Sequence, residues 1–199
     1  RVNALLSQEK RWTADDMKQV NLDVVGEPQR ELAKSMATIL KSLSSPEANV
    51  LAKHLESWDG DHQQTAVAPV IYYNLLSQVI FLAMKDELGD TSFKTLMETS
   101  VPKNSYDKLI GNENSPWWDN LKTKEVVETR QQIFQLAVAN TMKVINTTLG
   151  PEESEWQWGK VHTLTYPHPL GSVKPLDKIF NVGPYEVSGG QEVVNNLTF

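Results

Sequence analysis

WQWGKVHTLTYPHPLG at 156–171 and LDKIFNVGPYEVSGGQEVVNNLTF at 176–199 decide how this chain folds. Upstream, apolar residues recur at helical spacing. From 161 to 166 the run turns β-rich: Val161, Leu164 and Tyr166 mix with Thr163 and Thr165, and Pro167 closes it. Gly171, Pro175, Gly183-Pro184 and Gly189-Gly190 then punctuate the chain as strands and turns require. A tail this short cannot cover both faces of a sheet by itself, so it must join strands supplied from elsewhere or lie across the helices before it.

Working outward, residues 1–155 read as a helical domain and 156–199 as a β-rich tail, a mainly α chain. Arg1 to Ser7 suit a short helix. Thr13-Ala-Asp-Asp16 resembles a capping box, with acids in the first turn where the helix dipole favours negative charge; that helix is expected to reach about Val24, with Gly26 ending it. Pro28 suits the start of the next, whose stripe is Leu32, Met36, Ile39, Leu40 and Leu43. Ser45-Pro46-Glu47 repeats the start signal ahead of Val50, Leu51, Leu55 and Trp58, and short links imply antiparallel packing. Asp59-Gly60-Asp61 breaks the pattern. The most apolar helix is expected over 67–88, stopped by Gly89, followed by a short helix over 92–100 and an irregular stretch over 101–116. The last long helix is expected to open at Thr123 and to end at Gly150-Pro151.

Composition narrows the function classes. With 40% hydrophobic residues over 199 positions, there is core material for one sizeable domain or two small ones. The net charge is −6 and the basic residues are scattered, which gives no electrostatic footprint for nucleic acid. No apolar run approaches the roughly 20 residues of a membrane span. The absence of cysteine excludes disulfides, thiolate metal sites and a cysteine nucleophile. A start at Arg1, without Met or a signal peptide, reads as an excised segment.

The ordered motifs Trp156-Gln-Trp158-Gly159-Lys160-Val161-His162, His168-Pro169-Leu170, Phe180-Asn-Val-Gly183-Pro184 and Gly189-Gly190…Val194-Asn195 resemble the penicillin acylase (penicillin amidase) family of N-terminal-nucleophile hydrolases. Arg1-Val2, Trp58-Asp59-Gly60, Trp117-Trp118-Asp119 and Thr123 with Glu128-Thr129 match in the same order upstream. The resemblance covers essentially the whole chain and points to the interior of the family's large (β) chain. It implies an antiparallel helical domain inserted in the αββα fold of these enzymes, with the 156–199 tail re-entering the central sheet. It also implies hydrolysis of C–N amide bonds in N-acyl compounds such as β-lactam antibiotics or acyl-homoserine lactones. The nucleophile would be a serine exposed by autoproteolysis and absent from this chain. The partners would be the remainder of the α and β chains and a small N-acyl substrate, in the bacterial periplasm or secreted. The family's structural calcium would be held mainly by residues outside the segment. Composition and periodicity alone favour another class, a non-catalytic helical interaction domain; the ordered motifs decide for the acylase.

Within this chain the resemblance attaches chemistry to Arg1. An arginine opening this helix would orient the oxyanion-hole asparagine, or meet the polar end of the acyl donor, through charge-assisted hydrogen bonds; the plainer alternative is a solvated terminal arginine. His162 and His168 invite a metal reading, but zinc needs at least three protein ligands and no third lies nearby, so buried, hydrogen-bonded histidines are expected there. His54 and His62 read as surface residues. Ser188 beside Gly189-Gly190 lacks the glycine two positions earlier that a nucleophile elbow needs, and is a turn serine. Glu152, Glu153 and Glu155 read as a solvated patch, and Asp59 and Asp61 lack the rest of a calcium loop. Of the adjacent Trp117 and Trp118, one is free to line a groove or seal an interface. Trp156 and Trp158, at i and i+2 of an extended segment, would point the same way.

Overall fold

Three helices begin where a hydroxyl can accept an orphan backbone N–H. The computed structural model describes residues 1–7 and 10–196, so the last three positions of the 156–199 tail lie outside the described residues. Thr13 caps α2 (Ala14–Asn21), with its hydroxyl taking the Asp16 N–H at 3.2 Å while the Asp16 carboxylate takes the Thr13 N–H at 2.9 Å. Ser45 caps α4 (Pro46–Ser57), and Thr129 caps α7 (Arg130–Leu149). The other helices are α1 (Val2–Leu6), α3 (Glu27–Lys41), α5 (Ala68–Met97), α6 (Tyr106–Gly111), and the single-turn α8 (Trp158–Val161) and α9 (Asp177–Phe180). Two short strands, β1 (Thr163–Tyr166) and β2 (Val182–Glu186), complete a mainly helical chain.

Several boundaries differ from those read off the sequence. α2 stops at Asn21 rather than near Val24, because the 24–26 backbone is used elsewhere: the His62 N–H donates to the Val24 carbonyl and the Gly26 N–H to the Gly60 carbonyl. The last long helix opens at Thr129, not Thr123. The sequence T-x-x-Q that closes a capping box is Thr129 to Gln132, whereas the Thr123 hydroxyl is hydrogen-bonded to the Glu128 carboxylate at 2.6 Å, and Val127 is 78% exposed. The expected stop at Gly89 and the short helix after it are both present: α5 is two helices meeting at Gly89, whose φ 69° and ψ 174° are not helical, and the second ends at Met97 rather than at 100. The residues expected at the start of the strand, Val161 and its neighbours, form the helical turn α8 instead. Trp156 and Trp158 therefore do not sit on an extended segment, although both are buried.

The chain divides into two units. One comprises 28–58 and 71–151. Its core is helical: Met36 and Leu40 of α3, Leu51 and Leu55 of α4, Ile71, Leu75 and Val79 of α5, and Ile133 and Phe134 of α7 are all fully buried. Each such Leu or Ile contributes about 1.5–3 kcal/mol by leaving water. α4 and α7 are in contact, and Trp118 meets Phe134 with ring centroids 6.3 Å apart. Trp118 is buried and Trp117 only half-buried, so the adjacent tryptophans do part company.

The other unit draws on 1–27, 59–70 and 152–199. Its centre is the connector 59–66. Besides its bonds to 24–26, the connector accepts the Trp158 N–H at Ala66 (2.9 Å), the Gly159 N–H at Gln64 (2.8 Å) and the Gly189 N–H at His62 (2.9 Å). β1 and β2 pair antiparallel, with Thr163 opposite Glu186, Leu164 opposite Tyr185 and Tyr166 opposite Val182, and a register irregularity between Leu164 and Tyr166. Among the described residues no third strand joins them. Tyr166, Val182 and Tyr185 are each about half exposed or more.

Two stability predictions follow from these packing details. At Gly60 φ is +93°, and an added Cβ would lie 2.6 Å from the Gly26 carbonyl oxygen. Gly60→Ala should therefore cost about 3 kcal/mol in strain and clash, read as a lowered urea midpoint; an unchanged midpoint would contradict the close approach. In the helical unit, burial, then the adjacent Asp86 carboxyl, push Glu87 up to about 7. The folded chain then keeps a proton that the unfolded chain releases near its ordinary value, so this stability is present at acid pH and lost as pH rises through about 7. Glu87→Gln, neutral throughout, should melt above the parent at pH 8 and with it at pH 4.5. Parallel melting curves for the two would exclude this origin.

Candidate functional site

Arg1 is exposed, yet held by an acid. Its Nε donates to both oxygens of Asp23, at 3.0 and 3.1 Å, and Nη2 donates to Oδ2 at 2.5 Å. Nη1 lies 3.6 Å from a Glu27 oxygen. The Asp23 side chain is only 10% exposed and that of Arg1 31%. Hydrogen bonding to Arg1 holds the Asp23 carboxyl below its ordinary range, and the same bond pushes the guanidinium further up. Asp23 is placed by its own backbone. Its N–H donates to Val20 at the end of α2, its carbonyl takes the Asn195 N–H at 2.8 Å, and Oδ1 takes the Val25 N–H at 3.2 Å. Asp23 belongs to none of the motifs read from the sequence. The available signal was an acid set among Leu22, Val24 and Val25, a position that calls for a cationic partner.

His62, expected at the surface, is fully buried. Its Nδ1 lies 2.8 Å from the Gly60 carbonyl and 3.1 Å from that of Val24. Carbonyl oxygens only accept, so Nδ1 carries the ring proton. The Trp158 indole stands edge-on to this ring at 6.2 Å, donates its N–H to the Gly189 carbonyl at 2.8 Å, and stacks on His162 at 4.6 Å. His62 is misjudged from sequence because Asp59-Gly60-Asp61 looks like an exposed turn, whereas its two partners lie on the 59–62 turn itself and 38 residues upstream.

The remaining candidates separate from one another. His162, expected to be buried, is half-buried at the end of α8, with Nδ1 3.0 Å from the Val187 carbonyl. His168 is exposed rather than buried. It stacks on Phe180, and its Nδ1 accepts the Leu170 N–H because Pro169 opens a helical turn there. The Ser188 hydroxyl donates to the Gln63 side chain at 3.0 Å and accepts the Gln64 N–H at 3.3 Å, the geometry of a turn serine. Glu155 pairs with Lys160 on an exposed surface. Among the described residues no group of three or more His, Asp or Glu is arranged to hold a metal ion, and no helix is long and apolar enough to cross a membrane.

The penicillin amidase family model matches residues 1–199. The chain belongs to that family. Within it, the acyl-homoserine lactone acylase QuiP of Pseudomonas syringae pv. syringae is 28% identical over 153 residues, covering 72% of this chain and 18% of that protein. QuiP of Pseudomonas aeruginosa is 28% identical over 126 residues, covering 61% of this chain and 15% of that protein. QuiP of Pseudomonas fluorescens (strain Pf0-1) is 27% identical over 152 residues, covering 73% and 17%. The matched part thus spans less than a fifth of the length of these curated relatives.

The buried imidazole makes a pH prediction. Burial, opposed by its two carbonyl partners, pulls His62 below its ordinary value. The unfolded chain then binds a proton that the folded chain refuses, so stability is full at neutral pH and declines as pH falls below about 6.5. In His62→Asn the amide can donate to the same carbonyls without titrating. Its melting temperature should fall less between pH 7.5 and 5.5 than that of the parent. An equal fall in both would place the acid sensitivity elsewhere.

Proposed function

We propose that this chain is a segment of the β chain of an acylase that hydrolyses the amide bond of N-acyl substrates. The observation that carries the proposal is the family match along all 199 residues. Of the two substrate classes considered, the names of the relatives favour acyl-homoserine lactones over β-lactam antibiotics. In this reading a serine exposed by autoproteolysis, outside this chain, attacks the acyl carbonyl while its own α-amine takes the hydroxyl proton. The C–N bond breaks, the amine leaves with that proton, and water then releases the acid from the ester intermediate. An oxyanion hole stabilises the tetrahedral species, and Arg1 orients its asparagine or meets the polar end of the acyl donor. The setting would be the periplasm or the cell exterior.

The side chains described above agree with a supporting part. The Ser188 hydroxyl is hydrogen-bonded to Gln63 and Gln64, and the Nδ1 atoms of His62 and His162 face carbonyls. The calcium that the resemblance implies would have its ligands mainly elsewhere in the acylase. The half-exposed apolar side chains of β1 and β2 suit pairing with strands from the remainder of the acylase.

The test compares the purified 199-residue chain with the processed full acylase on an acyl-homoserine lactone, a phenylacetyl amide and a cephalosporin. The full enzyme should cleave the lactone amide and the isolated chain none of them. Activity of the isolated chain that Ser188→Ala abolishes would overturn the assignment. Arg1→Ala in the full enzyme should lower the melting temperature, because the nearly buried Asp23 carboxylate loses its cation, and should also lower turnover per matured active site at least tenfold, since a charged hydrogen bond at a reacting centre is worth about 1.5–3 kcal/mol.

A further inference from the structure

We propose that Asp23 is the positioning residue of the acylase site, fixing the plane and reach of the Arg1 guanidinium. The inference rests on the reading of Arg1 as an active-site group, and it names what holds that group in place.

The case begins with what does not hold Arg1. It stands at the start of α1, which buries none of its five residues, and its side chain makes no capping bond. A helix with no buried face cannot set the direction of an arginine at its first turn by packing. The fixed contact is with Asp23, 22 residues away in sequence. Both carboxylate oxygens are engaged, and they meet one edge of the guanidinium through Nε and Nη2. Two-point pairing of this kind fixes the plane of the group, where a single contact would leave it free to rotate.

Asp23 in turn does not move freely. Its backbone is tied to Val20 on one side and to Asn195 on the other, and Oδ1 also holds the Val25 N–H. Arg1 has five N–H donors, and the Asp23 edge uses two of them. The Nη1 side is left with Glu27 at ion-pair distance rather than hydrogen-bond distance. The arrangement is an anchored carboxylate gripping one edge of an arginine and leaving the opposite edge for a further partner. An arginine serving only as a staple between α1 and the 22–25 turn would need no fixed outer edge, and this difference can be measured.

The experiment uses the full processed acylase and counts turnover per active site by titration, so losses in folding or maturation do not enter kcat. Asp23→Asn should lower kcat by roughly ten- to a hundredfold with KM changed much less, because misplacement of a polarising group acts on the transition state. Asp23→Glu, which keeps the charge, should recover part of the loss. In an Arg1→Ala background Asp23→Asn should cost nothing further, because there is no guanidinium left to place. If Arg1→Ala lowers kcat while Asp23→Asn leaves it unchanged, the inference is wrong and the reading of Arg1 stands. If Arg1→Ala itself leaves kcat unchanged, the reading of Arg1 fails. If Asp23→Asn lowers kcat equally with and without Arg1, Asp23 acts by another route and the proposal is overturned.

Discussion

The close crossing of Gly26 and Gly60 is the constraint on which the 59–66 connector depends. At that point two backbones approach until a single methyl group would strike a carbonyl oxygen, and the approach lets the Gly26 N–H reach Gly60 and the His62 N–H reach Val24. Once the connector lies there, its own carbonyls are presented to Trp158, Gly159 and Gly189. Three stretches of chain far apart in sequence thus become neighbours through main-chain bonds. His62 and Trp158 are buried beside them, which raises the cost of breaking the bonds nearest those rings.

The same frame fixes the Arg1 pair. Asp23 lies immediately before the residues that cross the connector, and its carbonyl receives Asn195 from the tail. The carboxylate is therefore oriented by the frame, and the guanidinium by the carboxylate. Geometry passes from backbone to acid to base, which is how a residue on an unburied helix can be held in one place.

What could be read from the sequence follows the range over which each element is determined. Helix starts at Thr13 and Ser45, and the end at Gly150, depend on neighbours within four residues and were legible. Thr123 misled because it shares the residue type of a cap without the glutamine three positions later that Thr129 possesses. The break at Gly89 and the short helix beyond it were both legible, but not the edge-to-face meeting of Phe81 with Phe93 across the break. His62 and Asp23 were misjudged or missed for a common reason: their partners, Val24 and Arg1, are more than 20 residues away and leave no periodic trace. Trp156 and Trp158 were expected on an extended segment, because the helical turn between Gln157 and His162 was hidden by the β-rich composition that follows.

The division of the chain into units bears on the order in which it can fold. All of 28–58 and 71–151 is synthesised before residue 152, although α4 must wait for α7 to follow it. The other unit needs Asp23 to find Asn195 and His62 to find Gly189, separations that carry a large loop-closure cost and slow the search. On a ribosome the helical unit is complete while the N-terminal arm still awaits the tail, and the connector carbonyls of His62, Gln64 and Ala66 stay without their tail partners throughout that interval. The exposed backbone of that waiting connector is where a chaperone or an incorrect strand would compete with the native tail.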